Sequence, residues 1–277
     1  MAPIPSRPVV LVTGASRGLG LAVTKILLQE FHARVVTIFR TVTPELQALK
    51  DHYGGDIQLV QGDIAAPRSL PHRASLNAGI ADLTRIENTN RAHWLQTFDT
   101  NLFSVINTLV PAIPALRANE GRVVLVSSGA ATGNTAGWGS YNASKAALNS
   151  LCRCVFLHFL TLSYFTLEPL TITISKTQLT KSRTFANEEP LITTISLRPG
   201  LVNTPMQAQI RTPSVQAQMH PSEHARFIQA YEKGQLGESE ERGYVVAALA
   251  VRGSKELSGG FWSWDAEEMG PYRQLAP

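Results

Sequence analysis

The sequence predicts an α/β protein built on one doubly wound parallel sheet, and three observations carry that expectation. The apolar run Val9-Val10-Leu11-Val12 reads as a strand buried on both faces, and it feeds Thr13-Gly14-Ala15-Ser16-Arg17-Gly18-Leu19-Gly20, a glycine turn opening a helix at about Leu19. A second strand, Arg34–Arg40, follows that helix, and a strand–helix–strand unit of this length closes right-handed with its strands parallel. Further short apolar strands recur along 277 residues, a length that suits one core of this kind.

In chain order, Leu21, Ala22, Ile26 and Leu27 recur at helical spacing up to about Phe31-His32. After the second strand come a short helix from Pro44 to about His52 and a third strand from Asp56 to Val60 that ends in Gly62-Asp63-Ile64. A helix carrying Trp94, Phe98, Asn101, Leu102 and Val105 precedes the buried strand Arg122–Ser128, which ends in the hydroxyls of Ser127 and Ser128. The next helix opens with Ser140-Tyr141-Asn142-Ala143-Ser144-Lys145, and a strand from Ile192 to Leu197 leads into Arg198-Pro199-Gly200.

Composition narrows the class. Charged residues make up 17% and hydrophobic ones 44%, the balance of a compact soluble protein. The net charge of +4 is scattered without a Lys/Arg run, which argues against nucleic-acid binding. Cys152 and Cys154 stand too close for an ordinary disulfide and no second ligand cluster suggests zinc, so no metal and a reducing, cytoplasmic compartment are expected. The first seven residues hold no apolar stretch of leader length, and no membrane span is expected.

The glycine turn points to a phosphate ligand. A helix N-terminus offers unpaired N–H groups and the positive end of the helix dipole. Gly14, Gly18 and Gly20 allow a ligand to approach the backbone, with Ser16, Arg17 and Leu19 in the turn itself. An acid at the end of the second strand would suit the free ribose of NAD, whereas Arg40 stands there and Arg17 nearby, a pair suited to the extra phosphate of NADP. Asp63 is placed to accept from an adenine amino group with Ile64 on the ring, although an Asp after a strand also reads as a turn former.

Tyr141 and Lys145 are four residues apart and share one helix face. An ammonium beside a phenol stabilises its phenolate and tunes it for acid/base work. The glycine turn, Asn77-Ala78-Gly79, Asn101, Ser128, Tyr141-Lys145 and Pro199-Gly200 stand in the order found in short-chain dehydrogenases/reductases, with Ser128 and Tyr141 at that family's thirteen-residue interval, and nearly the whole chain resembles that family. The resemblance implies Tyr141 as the general acid that protonates a substrate carbonyl, Lys145 as its partner and a ligand of the nicotinamide ribose, Ser128 as a donor to the same carbonyl oxygen, and Asn101 behind a water relay. It places Asn77, Ala78 and Gly79 on the adenosine side and Pro199, Gly200, Val202 and Thr204 near the nicotinamide carboxamide. A small-molecule carbonyl substrate and a dimer or tetramer follow from the same resemblance. Gly129-Ala130-Ala131 and the tail Ser258–Asp265 look like fungal sepiapterin-reductase-like or benzil-reductase-like carbonyl reductases. The substrate pocket is expected around Trp138 and a lid within 205–235.

Two stretches depart from the family pattern. Thirteen residues separate Asp63 from Asn77, where a helix plus a strand needs roughly twenty or more. The fourth strand is therefore expected to be absent or a stub led by Ala74-Ser75-Leu76. Residues 154–183 are extra, few in charge and rich in Thr and Leu; without them 146–153 and 184–190 would join as one amphipathic helix. That segment reads as a retained intron or another gene-model error, with lost coding sequence before Asn77 as its counterpart; a genuine surface insertion is the alternative, and Thr171–Ser175 could then pair as an edge strand. These departures leave a second reading besides reduction, a catalytically impaired relative that binds nucleotide or dimerises; a third, a sugar-nucleotide epimerase sharing Tyr-x-x-x-Lys, is disfavoured by the glycine spacing and the short C-terminal region.

Overall fold

A computed structural model describes residues 7–62, 73–153 and 188–274. Seven strands form one parallel sheet in the order β3-β2-β1-β4-β5-β6-β7. They are β1 (Val9–Thr13), β2 (Arg34–Phe39), β3 (Ile57–Gln61), β4 (Arg73–Leu76), β5 (Arg122–Val126), β6 (Thr193–Arg198) and β7 (Phe261–Ser263). The order reverses at β1 and β4, which creates the crevice where such sheets hold ligands.

The fourth strand is the expected stub, four residues long, yet it pairs on both sides: Leu11–Thr13 run beside Ala74–Leu76, and Arg73–Leu76 run beside Arg122–Leu125. The short approach from Gln61 therefore leaves the sheet continuous. Asp63 and Ile64, the residues 154–187 and the candidate edge strand Thr171–Ser175 lie outside the described residues.

Helices cover both faces. Those of the first half are α1 (Gly18–Gln29), α2 (Pro44–Tyr53), α3 (Arg91–Phe98), α4 (Ser104–Ala118) and α5 (Gly139–Cys152). Between α3 and α4 the chain makes a π-helical turn, Asp99–Phe103, so the helix anticipated around Trp94 to Val105 is two helices joined through a bulge. Beyond β6 come α6 (Pro205–Ile210), α7 (Pro213–Gln216), α8 (Pro221–Glu232) and α9 (Ser239–Arg252).

Alternation along each strand divides the core. Val10 and Val12 point to one face with Leu19, Val23 and Leu27 of α1 and Val245 to Ala250 of α9. Leu11 points to the other, with Val105, Leu109 and Leu116 of α4 and Leu148 and Cys152 of α5. A third cluster, containing Ala81, Leu83, Trp138, Tyr141, Ile210, Met219 and Phe227, is drawn from segments that follow the carboxyl ends of strands and from the helices after β6. It forms one end of the cleft described next. No described helix is long and apolar enough to cross a membrane. Among the described residues no group of three or more His, Cys, Asp or Glu is placed to hold a metal ion.

Candidate active site

A cleft of about 1170 Å³ lies along the carboxyl ends of the strands, lined from Gly14 and Arg40 at one end to Trp138 and Phe227 at the other. The first end is made largely of backbone. Gly14 has φ +69°, and a Cβ there would lie 2.9 Å from the Ala78 Cα. At Gly20 a Cβ would collide with the Gly14 carbonyl and the Asn77 amide, so α1 can start this close to β1 only with glycine present. Arg17 caps α1 without a side-chain cap bond, and the first turn carries no acid, which leaves its N–H groups for an anion.

Two threonines that sequence reasoning passed over hold this end together. The Thr13 hydroxyl accepts from the amides of both Asn77 and Ala78 at 3.0 Å, fixing where the chain leaves β4. The Thr43 hydroxyl caps α2 by accepting from Leu46 N and donates to the Ser16 carbonyl at 2.8 Å, tying the glycine turn to the loop after β2. A Thr-Pro pair at a helix start was the available signal, since it marks an N-cap. That tie brings Arg17 and Arg40 to the same cleft wall; both are exposed, and neither pairs with a carboxylate among the described residues.

At the other end three predicted side chains converge. Tyr141 is buried and hydrogen-bonded to Ser128. Burial pushes its phenol above the ordinary value, and the Ser128 bond works in the opposite direction. Lys145 Nζ lies 5.9 Å from the Tyr141 ring centroid and donates to the Val126 carbonyl at 2.8 Å. Burial pushes the ammonium down to about 8. The sequence expectation that the ammonium lowers the phenol is not met: burial raises it, and the influence that opposes burial is the Ser128 bond.

Asn101 sits in the π turn, beneath the cleft surface. Its Oδ1 accepts from Ile80 N at 2.8 Å, and its Nδ2 donates to the Ile80 carbonyl and to Ser144 Oγ. A Cβ on Gly79 would meet Asn101 Oδ1 at 3.3 Å and Lys145 Nζ at 3.5 Å, so Gly79 lets these groups gather. Pro199, Gly200, Val202 and Thr204 line the cleft between its ends, with Gly200 at φ +78° facing the Trp264 indole. Of the other predicted positions, Ser16, Gly18, Leu19, Asn77 and Ala78 reach the cleft wall, and Gly20 lies behind it as the packing contact just described. The Ser127 hydroxyl, buried in the same wall, has no hydrogen-bond partner among the described residues.

The residues present fit a nicotinamide dinucleotide. Bare backbone occupies the place where side chains would fill the cradle, an uncapped helix start faces it, and an orphan hydroxyl waits midway along the wall.

Comparison with known proteins agrees with this geometry. A family model described as short chain dehydrogenase matches residues 75–161. An uncharacterized oxidoreductase of Schizosaccharomyces pombe is 31% identical over 92% of this chain and 96% of its own. A benzil reductase of the (S)-benzoin-forming kind from Saccharomyces cerevisiae is 28% identical over 95% of this chain and 98% of its own. The crystal structure of a short chain dehydrogenase/reductase from Saccharomyces cerevisiae superposes with a TM-score of 0.79 at 27% identity, covering 96% of this chain and all of that one. The chain belongs to the short-chain dehydrogenase/reductase family, oxidoreductases that work with nicotinamide cofactors.

Proposed function

We propose that this protein is an NADP-dependent carbonyl reductase that moves a hydride between nicotinamide and a ketone or its alcohol, with Tyr141 as the general acid/base. The observation that carries the reading is the buried Tyr141 phenol bonded to Ser128 beside Lys145, at the mouth of an aromatic compartment. Its raised pKa keeps the phenol protonated at neutral pH, the form that donates to a carbonyl oxygen as ketone becomes alcohol. Ser128 supplies a second hydrogen bond to the same oxygen, and together they stabilise the negative charge that develops there. Lys145 holds a positive charge beside the phenol and returns a proton to it after each turnover. Asn101, fixed through its amide by Ile80 and Ser144, takes the place behind a water relay to Lys145. The cofactor, when bound, supplies the hydride; the protein supplies placement and electrostatics.

Asn77, Ala78 and Gly79 would flank the adenosine, and Pro199, Gly200, Val202 and Thr204 the carboxamide. Arg17 and Arg40 favour NADP because two guanidiniums without carboxylate partners among the described residues face one end of the cleft. Benzil reductases among the relatives point to an aryl diketone as the substrate class. An exposed apolar stripe running from Phe103 at the end of the π turn through Ile106 and Val110 of α4 supports assembly with a second copy. A cytoplasmic setting follows the description of a Saccharomyces cerevisiae protein that matches at a TM-score of 0.66 and 25% identity. The continuous sheet through β4 favours the enzyme over an impaired nucleotide-binding relative.

The test is NADPH oxidation with benzil, followed by absorbance, for wild type and Tyr141→Phe. The variant should lose about a thousandfold in kcat. Activity within tenfold of wild type would reject the proton donor.

A further inference from the structure

The aromatic end of the cleft contains two polar groups that neither packing nor the proton-transfer site explains. Gln207 is 4% exposed, and neither its Nε2 nor its Oε1 has a hydrogen-bond partner among the described residues. The indole Nε1 of Trp138, 7% exposed, is orphaned in the same way. Both residues line the cleft.

Their surroundings make the orphaning costly. Gln207 and Ile210 stand one turn apart on the buried face of α6, and Ile210 packs in the cluster of Trp138, Tyr141, Val215 and Phe227. Trp138 stacks on Phe227 at 5.3 Å between centroids and meets the Tyr141 ring edge-on at 5.7 Å. An amide buried among such side chains without a partner loses its hydration and gains nothing in return, so Leu or Met would pack there at lower free energy. A polar side chain retained against that cost is explained by a ligand group that completes it. Chemistry narrows the ligand further. An indole N–H can only donate and the amide nitrogen adds two more donors, so an acceptor oxygen is the one group that both residues can bind together, with Oε1 left for a water. Tyr141 and Ser128 already claim the oxygen of the reacting carbonyl.

We propose that Gln207 and Trp138 form a second oxygen-recognition point in the substrate compartment. It selects aryl ketones that carry a further acceptor oxygen next to the reacting carbonyl, as vicinal diketones do, over ketones with one oxygen. This assignment rests on the carbonyl-reductase reading and gives that reading a specificity-determining pair: one oxygen goes to Tyr141 and Ser128, the other to the amide and the indole.

The experiment compares benzil with deoxybenzoin, which keeps both phenyl groups and lacks one carbonyl. Wild type, Gln207→Leu and Trp138→Phe are each assayed with NADPH, and binding of both ketones is followed without turnover by quenching of tryptophan fluorescence. In Gln207→Leu the benzil-to-deoxybenzoin ratio of kcat/KM should fall about tenfold, the weight of one lost neutral hydrogen bond and its unpaired partner, with a smaller fall in Trp138→Phe. The binding ratio should fall alongside it. Gln207→Leu should also melt at a higher temperature than wild type in the absence of ligand, because it removes a buried orphan. A ratio unchanged in both variants, or an equal loss on both ketones, overturns the proposal. Wild type inert toward both ketones overturns the reductase reading instead; the binding ratio then decides the recognition point alone, and its persistence in Gln207→Leu rejects it.

Discussion

The two ends of the cleft are built from opposite materials. Around Gly14 and Gly20 the site is shaped by what the side chains lack, and a single methyl group would close it. Around Trp138 it is shaped by side chains gathered from the chain after β4, the start of α5 and helices α6 to α8. The first end therefore has little freedom to vary and serves a ligand whose shape is fixed. The second can be altered one residue at a time, which is what a site for varied substrates needs. The proposed proton transfer falls where the two meet, at Ser128, Tyr141 and Lys145.

Four changes sharpen that contrast. Tyr141→Phe, at the junction, should cost about a thousandfold in turnover and leave the dissociation constant for NADPH within about threefold, measured by nucleotide fluorescence. Arg40→Asp, at the backbone end, should lower the preference for NADPH over NADH by about 30-fold in kcat/KM, the weight of charge-assisted bonds to a phosphate. An unchanged preference would remove Arg40 from the phosphate site. The remaining two are stability effects of opposite sign. Gly14→Ala places a methyl on the Ala78 backbone at positive φ and should destabilise by about 2–3 kcal/mol, read by urea denaturation. Lys145→Met should stabilise by about 2 kcal/mol at pH 7, because a buried ammonium with its pKa pushed down to about 8 is carried at a cost.

The sign of that last effect has a pH signature. Below about pH 8 the lysine is protonated in both the folded and unfolded chain, and the cost is fully present. Between about 8 and the ordinary 10.5 the unfolded chain holds the proton that the folded one releases, so wild-type stability rises with pH through this window. Lys145→Met should lose that rise.

The legibility of the sequence follows the same division. Glycine spacing and Arg40 are local signals, and Gly14, Gly18 and Arg40 all line the cleft. The strands β1, β2, β3, β5 and β6 fall within about two residues of their expected bounds; β1 and β5 are continuous apolar runs buried on both faces, while the edge strand β3 carries exposed Gln58 and Gln61. The hydroxyls of Thr13 and Thr43 were not legible, since their roles depend on partners 64 and 27 positions away. Gln207 was equally silent: its meaning lies in the apolar company that only folding assembles around it. The direction of the Tyr141 shift was missed for a related reason, because burial of a helix face cannot be read from a four-residue spacing.

All seven strands of the sheet run parallel, so the polypeptide enters each of them on the edge opposite the cleft. β4 begins at Arg73 and β6 at Thr193 on that edge. The starts of these two strands are thus remote from the cleft, and their pairing with β1 and β5 is what holds Leu76 and Arg198 at its edge.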